Sequence, residues 1–198
     1  MNHFRRVFLG ILAAAALTWS GCAGTQDAEA TTLYVDEDGM LEQVIVETVE
    51  EDAFTQEELR NYIRDDLAEY AETAGSEAVT LESCRLSGNT ARITLNYASA
   101  GDYAAYNQVE CFLGTEQEAR DAGYNFDGSF LDGSGNAVDM NSVQISEEAH
   151  VLILEEVINV RLPEEVLYTT SNASVSDGQT VTVEGETGFT DTPVYIIY

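Results

Sequence analysis

Residues 91–97 read Ala-Arg-Ile-Thr-Leu-Asn-Tyr, and no other stretch of the chain constrains the fold as firmly. Ala91, Ile93, Leu95 and Tyr97 alternate with Arg92, Thr94 and Asn96, which gives an extended segment one apolar and one polar face. Such a strand belongs to a sheet with one face on a core. The Ser87-Gly88-Asn89 turn before it, and the run at residues 79–86, predict an antiparallel hairpin. An apolar sheet face needs a cover. Thr55-Gln56-Glu57-Glu58 has the pattern of a capping box, in which Thr55 accepts from an orphan amide and Glu58 reaches back. Leu59, Tyr62, Ile63, Leu67, Tyr70 and Ala71 follow at helical spacing, opposite Arg60, Arg64, Asp65, Glu69 and Glu72, and Gly75 stands where a C-cap falls. The expected class is α+β: a mainly antiparallel sheet with one long amphipathic helix packed on it and short helical turns.

The remaining pattern extends this reading. Residues 32–35 and 40–49 flank an Asp36-Glu37-Asp38-Gly39 turn as a hairpin, with Leu41, Val44 and Val46 as its apolar anchors. Residues 102–107 (DYAAYN) predict a helical turn that brings Tyr103 and Tyr106 together. Val109, Cys111 and Leu113 alternate as a strand, and a second capping box, Thr115 to Glu118, opens a helix that Gly123 stops. From Tyr124 the pattern is irregular, with strands expected at 151–162, 166–170, 181–184 and 194–198 and a positive-φ turn at Asp177-Gly178. Only Pro163 and Pro193 occur and no Gly/Ser run divides the body, so residues 31–198 are expected to form one folded unit.

The N-terminus carries an address. Arg5 and Arg6 precede an apolar run at residues 7–17, too short for the roughly 20 residues a spanning helix needs, so it reads as the core of an export signal. Ser20-Gly21-Cys22 then resembles the lipobox of bacterial lipoproteins, with Trp19 where that family has Leu three residues before the cysteine. The resemblance implies cleavage after residue 21 and a diacylglyceryl thioether on Cys22. It also implies attachment to the cell membrane through two fatty chains, which hold where one holds marginally. Arg5-Arg6-Val7-Phe8-Leu9 also resembles the twin-arginine motif, so the export route stays open between that and general secretion. Residues 22–30 read as a small, polar tether. Within the body, DYAAYN at 102–107, AGYNFD at 122–127 and YIIY at 195–198 resemble segments of functionally uncharacterised envelope lipoproteins of Clostridia-type bacteria. That resemblance implies the same address and adds no chemistry.

Charge excludes several partners. The chain carries 36 acidic and eight basic residues, all eight of them Arg, for a formal charge of −28. Loss of Arg5 and Arg6 with the signal deepens it further. Such a surface repels phosphate backbones, so no nucleic-acid partner is expected. It repels anionic lipid equally, which leaves the Cys22 anchor to hold the membrane.

Little in the sequence points to catalysis. His3 leaves with the signal, so His150 is the sole histidine of the mature chain, and it reads as a strand-edge polar residue. Schiff-base and Ser–Lys mechanisms need a lysine, and there is none. Asp132-Gly133-Ser134-Gly135-Asn136 mimics the start of a calcium loop, but Ala137 and Val143 stand where that loop has Gly and Glu, so a hairpin turn is the expectation. Cys84 and Cys111 either form a disulfide or remain two buried thiols. Tyr103, Tyr106 and Tyr124, in the least regular stretch, are either ligand-binding aromatics or core residues with hydroxyls at the rim. The resulting expectation is a non-enzymatic, lipid-anchored module on the extracytoplasmic face. It would bind or scaffold an envelope polymer or protein, without cofactor, metal or catalytic residues. The alternative is a carbohydrate-active or cell-wall hydrolase with two carboxylates about 5 to 9.5 Å apart. A transporter's soluble binding component, the third candidate, would need two lobes and a hinge.

Overall fold

The computed structural model describes residues 28–50, 53–75, 77–143, 145, 146, 149–185 and 188–198. The expected signal at 1–21, Cys22 and most of the expected tether lie outside the described residues. Where the sequence suggested one folded unit, the chain divides into two compact units. Among the described residues, the first takes 28–34 with Met40–Asn107, and the second takes Val35–Gly39 with Gln108–Tyr198. The class is mainly antiparallel β with some helix, which corrects the balance expected of an α+β chain.

In the first unit, β1 (Thr32–Val35, all but its last residue in this unit), β2 (Leu41–Thr48), β3 (Val79–Ser87) and β4 (Thr90–Tyr97) lie in the order β1-β2-β4-β3. Strands β2 and β3 both run antiparallel to β4, with Ile45 and Cys84 opposite Ile93. Ala91, Ile93, Leu95 and Tyr97 are fully buried, as their alternation required. Thr94, on the other face, is buried too, and its hydroxyl pairs with that of Ser83 at 3.0 Å. In β2, Leu41 and Val44 are buried but Val46 is only half-buried, and Gln43 occupies a core position.

Helix α1 (Gln56–Ala74) begins at the capping box: the Glu58 N–H donates to Thr55 Oγ1 at 3.2 Å and the Thr55 N–H to Glu58 Oε2 at 2.8 Å. The broad amphipathic face expected for it is absent. Leu59, Ile63 and Leu67 are its buried residues, whereas Tyr62 is 38% exposed and Tyr70 and Ala71 are half-buried. The reason is geometric. Residues four apart form a single ridge, so a straight helix meets a sheet along one line. That ridge sits against β3, and each Leu or Ile buried in it contributes about 1.5–3 kcal/mol. Two polar ties secure the same end: Arg60 Nη2 donates to the Cys84 carbonyl and the Leu86 N–H to Gln56 Oε1, each at 3.1 Å. Helix α2 (Ala100–Asn107) starts where Ser99 Oγ accepts the Asp102 N–H, buries Tyr103 and Tyr106, and gives way to Gln108 at φ +56°.

The second unit is built from shorter pieces. Strands β5 (Cys111–Thr115), β6 (Phe130–Asp132), β7 (Ala137–Val138), β8 (His150–Glu156), β10 (Tyr168–Thr170) and β13 (Phe189–Ile197) lie in the order β5-β8-β13-β10-β6-β7. Strands β9 (Asn159–Arg161), β11 (Ala173–Ser176) and β12 (Thr180–Val183) pair as β11-β12-β9. The single strand expected over 151–162 is therefore two. At Val157 and Ile158 the chain leaves one set of strands for the other, its backbone held by Val157 N–H to the Gly188 carbonyl and Val183 N–H to the Ile158 carbonyl. The register of β13 on β8 shifts between Phe189 and Val194, where Pro193 lacks an N–H to give to a ladder. Between β11 and β12, Asp177 at φ +50° and Gly178 at φ +79° make the turn that residue pair signalled. Helix α3 (Glu116–Asp121) carries the second capping box, Thr115 with Glu118. Its own buried residue, Ala119, joins Phe126, Phe130, Met140, Val151, Ile153 and Ile197 in a core ringed by Phe112, Tyr124, Tyr168 and Tyr195.

Candidate functional site

The site begins with a spacing on α1. Asp66, Glu69, Tyr70 and Thr73 stand at i, i+3, i+4 and i+7, one stripe along the helix beside the buried ridge. Tyr106 of α2 meets that stripe: its hydroxyl donates to Asp66 Oδ2 at 2.6 Å, the short distance of a charge-assisted bond. The rings of Tyr70 and Tyr106 lie edge to face, with centroids 5.2 Å apart and planes at 75°. Together with Glu72 these residues line an open groove of about 300 Å³. Burial, and then the Asp66 carboxylate it donates to, push the Tyr106 phenol far above its ordinary range, so it stays a neutral donor. The Tyr70 phenol is raised by burial and then by the charge of Asp102.

Of the three tyrosines singled out in sequence, Tyr106 alone lines this groove. Tyr103 is fully buried and accepts a 3.3 Å bond from Gln43 Nε2. It belongs to a core network in which the Tyr97 hydroxyl donates to Gln43 Oε1 at 2.8 Å and Asn107 Nδ2 donates to the Tyr97 hydroxyl at 3.2 Å. Tyr124 lies in the second unit, half-buried between Phe112 (5.3 Å) and Tyr195 (6.3 Å). Burial first, then a hydrogen bond to Glu110, raises its phenol well above normal. An exposed three-tyrosine binding face is therefore not what the fold makes: two of these rings serve cores. The physical reason is that a tyrosine with a satisfied hydroxyl fills a core as readily as a phenylalanine.

The other chemistry-bearing residues fall as follows. His150 is exposed at the start of β8 and stacks on Tyr198 at 5.7 Å. Cys84 and Cys111 are separate free thiols. Burial raises the Cys84 thiol, and burial followed by the charge of Glu156 pushes Cys111 up to about 12. Neither is a ready nucleophile at neutral pH. Asp132 closes the β6–β7 turn, its Oδ1 accepting the N–H groups of Ser134 and Asn136 at 2.9 Å, and the Asn136 side chain first among its donors holds its carboxyl below the usual value. Among the described residues, no three His, Cys, Asp or Glu stand close enough to hold a metal ion, and no helix is long and apolar enough to cross a membrane.

Sequence reasoning placed Glu69 and Glu72 on a solvated face and Tyr70 in the core, and passed over Asp66 and Thr73. The i, i+3, i+4, i+7 spacing of acid, acid, Tyr and Thr was the available signal. The partner ring, 40 residues further along, was not readable from that spacing. No family model matches the chain, and no curated protein or solved structure shows significant similarity to it.

Proposed function

We propose that this chain is an extracytoplasmic lipoprotein, held to the cell membrane by a diacylglyceryl group on Cys22, that acts as a non-enzymatic binding or scaffolding module of the cell envelope. The observation that carries the address is the sequence Ser20-Gly21-Cys22 directly behind Arg5-Arg6 and the apolar run at 7–17. The first strand begins at Thr32, ten residues past that cysteine, which suits a domain held close to its anchor. The groove on α1 supports the binding role. The likeness of residues 102–107, 122–127 and 195–198 to envelope lipoproteins points to the same compartment. The groove gives the hydrolase reading no support: Asp66 is only half-buried and Glu69 and Glu72 are exposed, whereas a glycosidase acid needs a carboxyl raised by burial. The carboxyl of Glu47 is raised by burial, but it sits on β2 outside the groove.

The test is direct. Mass spectrometry of the native protein should find a mature N-terminus at Cys22 carrying lipid, and Cys22→Ala should move the protein from the membrane to the medium. A native N-terminus upstream of Cys22, or a variant that stays membrane-bound, would overturn the proposal.

A further inference from the structure

We propose that the sheet of the first unit faces the bilayer with the side opposite its helices, the row of Arg92 and Arg85 standing nearest the lipid headgroups. This deepens the anchored-module reading and rests on it. The chain enters the fold through two ties. Thr31 Oγ1 accepts the Val46 N–H at 3.0 Å and donates to the Val46 carbonyl at 3.2 Å. Three residues upstream, the Ala28 carbonyl accepts from Arg92 Nε at 3.1 Å. Val46 and Arg92 are register partners in β2 and β4, so both ties fall on one row across the sheet. The next position on that row is Arg85 of β3, directly opposite Arg92.

The Arg92 side chain and the helices lie on opposite sides of the sheet. Arg92 alternates with Ala91 and Ile93, whose side chains are in the core. On that core side the Tyr97 ring meets Tyr103 of α2 at 4.9 Å, and α2 meets α1 through Tyr106 and Tyr70. Ala28 lies six residues past Cys22, and six residues reach about 20 Å at full extension. A lipid on Cys22 therefore keeps the Arg92 row within about 20 Å of the headgroups, less than the roughly 28 Å length of the 19-residue α1. Without the ties the free span would run ten residues to Thr32, about 35 Å. Charge favours the same pose. The outer side of β2, β3 and β4 carries Arg85 and Arg92 against Glu42, with Glu82 in the β3 bulge, and is formally near neutral. Helix α1 carries Glu57, Glu58, Asp65, Asp66, Glu69 and Glu72 against Arg60 and Arg64. Anionic headgroups repel the helix side and tolerate the sheet side.

The experiment uses the full lipidated chain in vesicles of phosphatidylcholine and phosphatidylglycerol that carry an energy acceptor on the headgroups. A donor dye is placed at Ser87→Cys, exposed on the outer side two residues from Arg85, or at Asn61→Cys, exposed on α1, with the unsubstituted chain as the blank. Transfer should be at least about twofold greater from Ser87→Cys, because the helix layer alone adds about 10 Å of separation. Thr31→Val combined with Arg92→Gln, which removes both ties, should shrink that difference. A flexible Gly/Ser segment inserted after Ala23, which leaves every described residue in place, should shrink it as well. Equal transfer from the two positions, greater transfer from α1, or a difference that survives the insertion would each overturn the inference. The two readings fail separately. A chain that stays out of the vesicles because Cys22 bears no lipid sinks the anchor and this inference with it, whereas a vesicle-bound chain with equal transfer sinks the orientation alone.

Discussion

The two units solve the problem of burying tyrosine in different ways. In the first, Tyr97 and Tyr103 lie buried in the core, and their hydroxyls join Gln43 and Asn107 in a set of hydrogen bonds. In the second, Tyr124 and Tyr195 ring a cluster whose middle is Phe126 and Phe130, and the packing is ring on ring: Tyr195 lies 5.2 Å from Phe126 and 6.0 Å from Phe130. Arg120 adds its guanidinium over Phe126 at 4.6 Å while pairing with Glu116. A polar network specifies one arrangement because a mispacked state leaves buried groups unpaired. A ring cluster is specified by shape alone, and tolerates exchange of one apolar residue for another of similar volume.

The largest effect belongs to shape. Phe130→Ala should cost about 3–5 kcal/mol, because it opens a cavity in a cluster held chiefly by ring packing. Urea unfolding measures the loss, and amide exchange should rise in β6, β8 and β13. A cost under about 1 kcal/mol would mean that the cluster collapses around the gap. Next in size is Tyr97→Phe, which keeps the ring but strands Gln43 Oε1 in the core and should cost about 1–3 kcal/mol. If it proves neutral by the same measurement, the network specifies nothing and the contrast between the units fails.

The smallest effect is electrostatic and depends on pH. Burial raises the carboxyl of Glu47 in the folded chain. An acid raised on folding favours the folded state fully below its unfolded value of 4.5, and that contribution is lost as pH rises through the folded value. Glu47→Gln should therefore stabilise the protein at neutral pH, with the gain shrinking to nothing below about pH 4.5. Thermal melts at pH 4 and pH 7 measure it, and an equal gain at both would show that charge is not the cause. Glu58 supplies the opposite sign within the same unit. The Thr55 amide, followed by the Thr55 hydroxyl, holds its carboxyl below the normal value, so its contribution is present above 4.5 and fades as the medium acidifies.

The same contrast explains what could be read in advance. Strand β4, the β3–β4 turn and both capping boxes were legible, because each is a local pattern whose physics is complete within a few residues. Strand β11 was not, since Ala-Ser-Val-Ser offers almost no apolar contrast and becomes a strand through pairing with β12. The break between β8 and β9 was hidden for the reverse reason: an unbroken apolar run looks the same whether it continues in one set of strands or passes to another. The site divided similarly. The acid-and-tyrosine stripe of α1 was in plain view as spacing, but the role of Tyr106 beside it was not.

By itself, then, the sequence determined the strand alternation of β4, the caps and the turns, all of which depend on near neighbours in the chain. The tertiary structure decided which tyrosines are walls and which are core, put a glutamine where pattern would have put a leucine, and set Tyr106 against Asp66. Those outcomes turn on which distant group satisfies a buried hydroxyl, and a one-dimensional pattern carries no record of that partner.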